Sequence, residues 1–202
     1  MINSLPLIVG MGGSIAARST SERVLRHALE LCEAEGAHTL CFDGVALDLP
    51  MYRHGAARTA QALRLVEALR RADGIIIASP GYHGTVSGLL KNALDYVEDL
   101  AADARPYFDG RAVGLISVAA GWQATGTTLA TLRSIVHALR GWPTPMAVTV
   151  NSVQPVFGGN GAIADTGLAD QLGILVRQVL GFARMRTGQE PASSTAAAGV
   201  DH

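Results

Sequence analysis

The amino-acid sequence predicts an α/β domain built on a parallel β-sheet, and three observations lead to that prediction. Short apolar runs rich in Val, Ile and Leu alternate along the chain with longer stretches of helical periodicity. The apolar runs are continuous rather than alternating, as in parallel strands that are covered on both faces. At 202 residues the chain is long enough for one domain with a substantial core. We therefore expect a doubly wound sheet with right-handed crossovers.

Five apolar runs predict the strands, at 5–10, 39–42, 74–79, 112–118 and 147–150. The third run, GIIIAS, is the clearest. Amphipathic stretches predict the helices between them, the first with its apolar positions on one face at Val24, Leu25, Ala28, Leu29 and Cys32. We expect residues 1–186 to form the domain. The small, polar residues 187–202 predict a flexible C-terminal tail.

Composition narrows the classes of protein that the chain can belong to. It is 49% hydrophobic and 16% charged, so either the core is unusually large or another subunit covers part of the surface. A net charge of -1 gives no long-range attraction for nucleic acid or an anionic membrane. Cys32 and Cys41 show no metal-ligand spacing, and no metal site is expected. No apolar run reaches the ~18 residues of a membrane span, and no export signal is evident, so we expect a cytoplasmic protein.

Ligands of open α/β sheets bind beyond the carboxyl ends of the strands, so the loops after strands one, three and four should form the site. The first loop, 12–21, reads GGSIAARSTS. Its glycines allow backbone to approach a ligand closely. It also carries an arginine, four hydroxyls and a helix start, and these side chains are Ser14, Arg18, Ser19, Thr20 and Ser21. This combination predicts a binding site for a terminal phosphate.

Two common nucleotide-binding motifs and a helix cap are the alternatives for the first loop. A dinucleotide fingerprint would need glycine at position 15, where Ile15 stands, and a Walker loop would need Gly-Lys-Ser/Thr, which is absent. Ser19 and Glu22 match a helix capping box, the simplest structural alternative. One cap uses one hydroxyl, however, and this loop has four. Glu22 would repel a phosphate unless its carboxylate turns away.

The segment after strand three carries the most specific motif. It reads Ser-Pro-x-Tyr-His-Gly, followed by Ser-Gly-x-Leu-Lys-Asn-Ala-Leu-Asp, and closely resembles the NADPH-dependent FMN reductase family. The first loop is similar to that family's Gly-Ser-x-Arg-x-x-Ser phosphate loop, and the likeness runs over 5–182. The resemblance implies a flavodoxin-like sheet of five strands in the order 2-1-3-4-5.

The resemblance also implies roles for individual residues. It assigns the FMN phosphate to Ser14, Ser19 and Ser21, and the flavin ring to Pro80, Gly81, Tyr82, His83 and Gly84. Ala120, Gly121 and Trp122 match the family's third loop beside the flavin. The chain departs from the family at Ala16, where arginine is usual, and we expect Arg18 to contact the phosphate instead. Gly81 replaces a commoner glutamate, with no function that we expect to be lost.

Several roles stay open at this point. Tyr82 is either an aromatic wall for the flavin or a core residue, and His83 either donates a proton or contributes only backbone contacts. Trp122 either lines the nicotinamide side or anchors an interface. We expect Pro80 and Gly81 to form a tight turn. The glycine-rich turn at 158–161 is a candidate mobile flap.

The function that follows is hydride transfer from NADPH or NADH to FMN, with no catalytic side chain because the cofactor carries the chemistry. Reduced FMN is then either supplied to a partner monooxygenase or kept bound to reduce quinones, azo dyes or metal oxyanions. A non-enzymatic electron carrier of the flavodoxin type is the alternative. We expect a homodimer or homotetramer, because the loops at Met51 and Trp122 are apolar, and in the family the segment at 49–52 often reaches a neighbouring subunit's flavin.

Overall fold

The computed structural model describes residues 5–16 and 19–188. Five parallel strands form the sheet, namely β1 (Leu7–Gly12), β2 (His38–Phe42), β3 (Gly74–Tyr82), β5 (Ala112–Ala119) and β7 (Val148–Asn151). Two strands of two residues each complete it: β4 (Thr85–Val86) runs antiparallel to β3, and β6 (Trp142–Pro143) pairs with the start of β5. The order is β2-β1-β3-β5, with β6 and β7 both on β5.

The predicted strand order of 2-1-3-4-5 is confirmed, because the fourth and fifth predicted strands are β5 and β7. The predicted strand bounds shift by up to three residues. β1 starts and ends two residues later than expected, and β3 continues three residues further, to Tyr82. The two-residue strand β6, in which Trp142 pairs with Ala112, is not among the five predicted strands.

The helices that connect the strands are α1 (Thr20–Ala34), α2 (Ala60–Arg71), α3 (Gly88–Asp95), α4 (Trp122–Ala138) and α5 (Thr166–Thr187). A 3₁₀ turn, Tyr96–Leu100, continues α3. Helix α5 closes on Gly188, which adopts the left-handed conformation common after helices. Residues 189–202, most of the predicted tail, lie outside the described residues, and that prediction stays untested.

Two apolar layers cover the sheet, one on each face. Successive strand residues point to opposite faces, so Ile75 and Ile77 of β3 pack with α2, α3 and α4, while Ile76 packs with α1 and α5. This explains why the strands read as continuous apolar runs. No helix in the described part of the chain is long and apolar enough to cross a bilayer.

Candidate functional site

The three loops singled out in the sequence meet at one edge of the sheet. Strand β3 lies between β1 and β5, and all three run parallel. Gly12 pairs with Ala78, and Pro80 pairs with Val118, so the three strands end at similar heights. The first loop, the segment after β3 and the loop before α4 therefore form one continuous rim.

The first loop folds back on β3 and then opens α1. The Gly13 N–H donates to the carbonyl of Ala78 at 2.9 Å, and a Cβ on Gly13 would lie 2.8 Å from Ser87 Oγ. Only glycine permits this approach. Ser14 is buried, and its Oγ accepts a hydrogen bond from the Ala16 N–H at 3.3 Å. The loop is thus packed against the start of α3.

The hydroxyls at the start of α1 pair with each other. Ser19 Oγ lies 2.9 Å from Ser21 Oγ, Ser21 is 1% exposed, and Thr20 is half-buried. Helix α1 begins at Thr20, so the N–H groups of its first turn lack intrahelical partners and favour an anion. Arg18, which we expected to contact the phosphate, lies outside the described residues.

The capping box does not form. Ser19 occupies the N-cap position, but within the described residues its side chain makes no capping hydrogen bond. The Glu22 carboxylate instead accepts from Arg26 at 2.7 Å, and Arg26 also donates to Asp43 at 3.0 Å. The hydrogen bond to Glu22 raises the pKa of Arg26. The negative charge of Glu22, which would repel a phosphate, is therefore paired with the positive charge of Arg26.

The segment after β3 is a tight β-hairpin. Tyr82 pairs with Thr85, and the two residues between them, His83 and Gly84, have φ of 49° and 83°. Two successive positive φ values are typical of a type I′ turn, whose twist matches the flanking strands. The prediction of a tight turn at Pro80 and Gly81 is wrong. Both residues extend β3, because Gly81 pairs with Val86 in the hairpin.

Side chains of the hairpin turn towards solvent. Tyr82 is 52% exposed and His83 is exposed, whereas Pro80 is buried. The exposure of Tyr82 excludes core packing as its role. It also leaves an aromatic ring at the rim, beside the first loop.

A cleft of about 230 Å³ joins the first loop to the hairpin. Its lining residues are Gly13, Ser14, Ile15, Ala16, Tyr82, Ser87, Gly88 and Leu89. Among the residues that the structure describes, none of these lining side chains carries a charge. Helix α3 begins in this cleft, with Ser87 Oγ capping the Leu90 N–H at 3.2 Å. A helix start in such a cleft suits a bound anion.

The third loop leads directly into α4. Ala120 is exposed, Gly121 has a φ of 137°, and Trp122 begins the helix with 58% of its surface exposed. Trp122 lines a second cavity of about 150 Å³, with residues from β7, from the loop after it and from α5. The structure therefore brings Tyr82 to the first loop and places Trp122 over a separate cavity.

The segment after β2 is held by Asn92, a positioning residue of α3 that the sequence analysis missed. The Asn92 side chain of α3 accepts from the Tyr52 N–H at 2.8 Å and donates to the carbonyls of Leu49 and Pro50 at 3.1 Å. Met51 is left 73% exposed. Asn92 is 8% exposed. The sequence signal that could have revealed it is an amide side chain among the apolar residues of a predicted helix, because a buried amide needs hydrogen-bond partners.

The glycine-rich turn proposed as a flap is tied to α1. Phe157 bridges to Ile163, and the Arg23 guanidinium lies 3.6 Å from the centroid of the Phe157 ring.

Among the described residues, no group of three His, Cys, Asp or Glu side chains could hold a metal ion. Burial raises the pKa of Cys32 to about 12, in keeping with a small buried side chain.

The site also fits the group that the motifs imply. The paired hydroxyls and free N–H groups at the start of α1 offer donors for a phosphate. The cleft extends from Ala16, in the loop before that helix, to the exposed ring of Tyr82. FMN carries a phosphate at one end and a planar ring at the other, and these features lie in that order along the rim.

The sheet order and the position of this rim define a flavodoxin-like α/β protein. Solved structures support the fold: an oxidoreductase from Corynebacterium diphtheriae aligns with a TM-score of 0.75 at 15% identity, over 90% of this chain and 98% of that one. An apo NADH:FMN oxidoreductase aligns with a TM-score of 0.70 at 23% identity, over 94% and 93%.

The family model for NADPH-dependent FMN reductases matches residues 6–154, and the chain belongs to that family. A curated relative, the FMN-dependent NADPH-azoreductase of Staphylococcus aureus, is 37% identical over 87 residues. That match spans 43% of this chain and 43% of the relative.

Proposed function

We propose that the protein binds FMN at this rim and reduces it with NADPH or NADH. The observation that carries the proposal is the cleft that runs from the loop before α1 to the hairpin and receives the start of α3. When bound, FMN supplies the hydride chemistry. The chain's own residues bind, orient and shield it, so no side-chain nucleophile is assigned.

The phosphate end is assigned to Ser14, Ser19, Thr20 and Ser21, with the free N–H groups of α1. Arg18 remains the expected cation, because Ala16 cannot replace the family's usual arginine. A charge-assisted hydrogen bond contributes about 1.5–3 kcal/mol, and each ~1.4 kcal/mol is tenfold in affinity. Arg18→Ala should then weaken FMN binding about ten- to a hundredfold and leave riboflavin, which lacks the phosphate, nearly unaffected. Equal FMN affinity in both proteins at low salt would remove Arg18 from the site.

The ring end is assigned to the hairpin residues 80–84 and to Ala120, Gly121 and Trp122. The exposed ring of Tyr82 beside the cleft supports this, since a planar ligand needs accessible aromatic surface. Trp122 lines a separate cavity and is assigned on the family resemblance alone. For His83, the exposed position on a tight turn favours backbone contacts with the ring over a buried proton-donor role.

The electron acceptor is proposed in two forms. Reduced FMN is either released to a partner monooxygenase or kept bound to reduce quinones, azo dyes or metal oxyanions; the azoreductase relative favours the second form. NADH and NADPH oxidation should be measured in parallel with added FMN, a quinone and an azo dye. Saturation with FMN alone supports the first form, and saturation with the dye or quinone the second. A non-enzymatic carrier would oxidise neither nucleotide.

We also propose a homodimer or homotetramer. Met51 and Trp122, 73% and 58% exposed, support it, because apolar side chains held rigidly at a rim are well suited to an interface. Light scattering over a wide concentration range should give a multiple of 21.0 kDa. A constant monomer mass would contradict the proposal.

A further inference from the structure

We propose that Gly81 and Thr128 together set the spacing between the β3–β4 hairpin and α4, and thereby position the flavin ring. The inference rests on the proposed function, because the ring is the ligand that is assigned to the hairpin residues. Gly81 would then be a positioning residue, acting through the hairpin.

The closest approach between the two elements is at Gly81. A Cβ on Gly81 would lie 2.6 Å from Thr128 Oγ1, 3.1 Å from Ala119 Cβ and 3.3 Å from the carbonyl oxygen of Ala124. Thr128 is fully buried, and its Oγ1 donates to the carbonyl of Thr85 at 3.3 Å. Both strands of the hairpin therefore rest on one threonine of α4.

The neighbours of Gly81 have little freedom to make room for a side chain. Thr128 is β-branched and helical, so its χ1 is restricted, and turning it would break the hydrogen bond to Thr85. Ala119 Cβ and the Ala124 carbonyl belong to the frames of β5 and α4. Helix α4 is in turn fixed to β5, because Ser117 Oγ donates to the carbonyl of Thr125 at 2.9 Å. A side chain at position 81 must therefore move the hairpin.

The hairpin carries the residues that are assigned to the ring, including Tyr82 and His83. The hydroxyls at the phosphate end bond locally: Ser14 accepts from the Ala16 N–H, and Ser19 bonds to Ser21. A displaced hairpin should thus disturb the ring site and leave these hydroxyls in place. The glutamate that is commoner in the family does not fit this arrangement, so the close approach is a feature of this chain.

The test is a double-mutant cycle at Gly81 and Thr128, with FMN and riboflavin as probes. Gly81→Ala should weaken both flavins equally, by about tenfold, since overpacking is costly, and should shift the visible absorption of the bound flavin. Thr128→Ala removes the nearest atom, so the double variant should recover most of the lost affinity and the wild-type spectrum. Gly126→Ala is the matched control: it adds the same methyl to α4, where no atom lies within 4 Å, and should leave binding unchanged.

Wild-type protein that binds neither flavin would contradict the proposed function itself. With binding established, an unchanged affinity and spectrum in Gly81→Ala, or a double variant no better than Gly81→Ala, would overturn the positioning role. A loss of thermal stability with an unchanged flavin spectrum would also overturn it. If circular dichroism shows Gly81→Ala to be unfolded, Thr128→Val decides: it keeps the shape but loses the bond to Thr85. Equal weakening of both flavins supports the inference, and unchanged binding rejects it.

Discussion

At the scale of single residues, Ser19 at the start of α1 makes no capping hydrogen bond within the described part of the chain, so its hydroxyl is available for a phosphate. Ser19 and Ser21 bond to each other, and Glu22 bonds to Arg26 rather than to the helix start. The sequence predicts which polar residues gather in this loop. The i,i+4 spacing of Glu22 and Arg26 is also visible in the sequence, but Asp43, which accepts from Arg26 as well, is brought near only by the folded chain.

Ser21→Ala should weaken FMN binding about two- to tenfold and leave riboflavin binding unchanged. A neutral hydrogen bond contributes about 0.5–1.5 kcal/mol, and Ser21 is proposed to bond only to the phosphate end. Equilibrium titration of both flavins checks this, with the exposed Ser134→Ala of α4 as the control. An equal loss for FMN and riboflavin would show that Ser21 does not bind the phosphate.

At the scale of elements, contacts distant in sequence fix the rim. Arg58 donates to both carboxylate oxygens of Asp99, at 2.6 and 2.7 Å, and lies 4.7 Å from the centroid of the Tyr52 ring. With Asn92, this pair holds the segment that exposes Met51. The sequence predicts the strands and long helices, whose periodicity is strong. It misses β4 and β6, because two-residue strands have no periodicity, and it misses contacts between positions that lie far apart along the chain.

Asp99→Asn should lower the free energy of unfolding at pH 7 by about 1–3 kcal/mol. The hydrogen bonds from Arg58 hold the pKa of Asp99 below its ordinary value of 3.8. The stabilisation is therefore present above pH 3.8 and is lost as the pH falls through the lowered folded-state value. Urea unfolding at pH 7 and at decreasing pH should show the difference between wild type and variant shrink. The exposed Asp48→Asn serves as the control, and a difference that persists in strong acid would contradict this account.

At the scale of the whole molecule, the two ends of the sheet have separate roles. The carboxyl ends carry the rim, while Arg111 lies fully buried at the opposite end, just before β5. It donates to the carbonyls of Ala72, Arg70 and Tyr107. Burial lowers its pKa to about 10. The sequence predicts the sheet order and the position of the rim, because both follow from strand–helix alternation. It does not predict a buried arginine that donates to backbone carbonyls, because apolar patterning alone would place Arg111 at a strand boundary in solvent.

Arg111→Met should lower the free energy of unfolding by about 3 kcal/mol or more, because several buried carbonyls lose their donor at once. FMN affinity of the folded fraction should stay unchanged, since the substitution lies at the far end of the sheet. Denaturant unfolding and flavin titration measure the two effects, with the exposed Arg71→Met as the control. A loss of flavin affinity without a loss of stability would contradict the separation of roles.

The central claim, that this rim binds FMN and accepts hydride from a nicotinamide nucleotide, is tested most directly by anaerobic spectroscopy. The FMN-loaded protein is mixed with NADPH, and separately with NADH, while the visible absorbance of the flavin is followed. We expect at least one nucleotide to bleach the flavin, and Gly81→Ala and Arg18→Ala to bleach less at the same FMN concentration. A flavin that dithionite bleaches but neither nucleotide does would contradict the account.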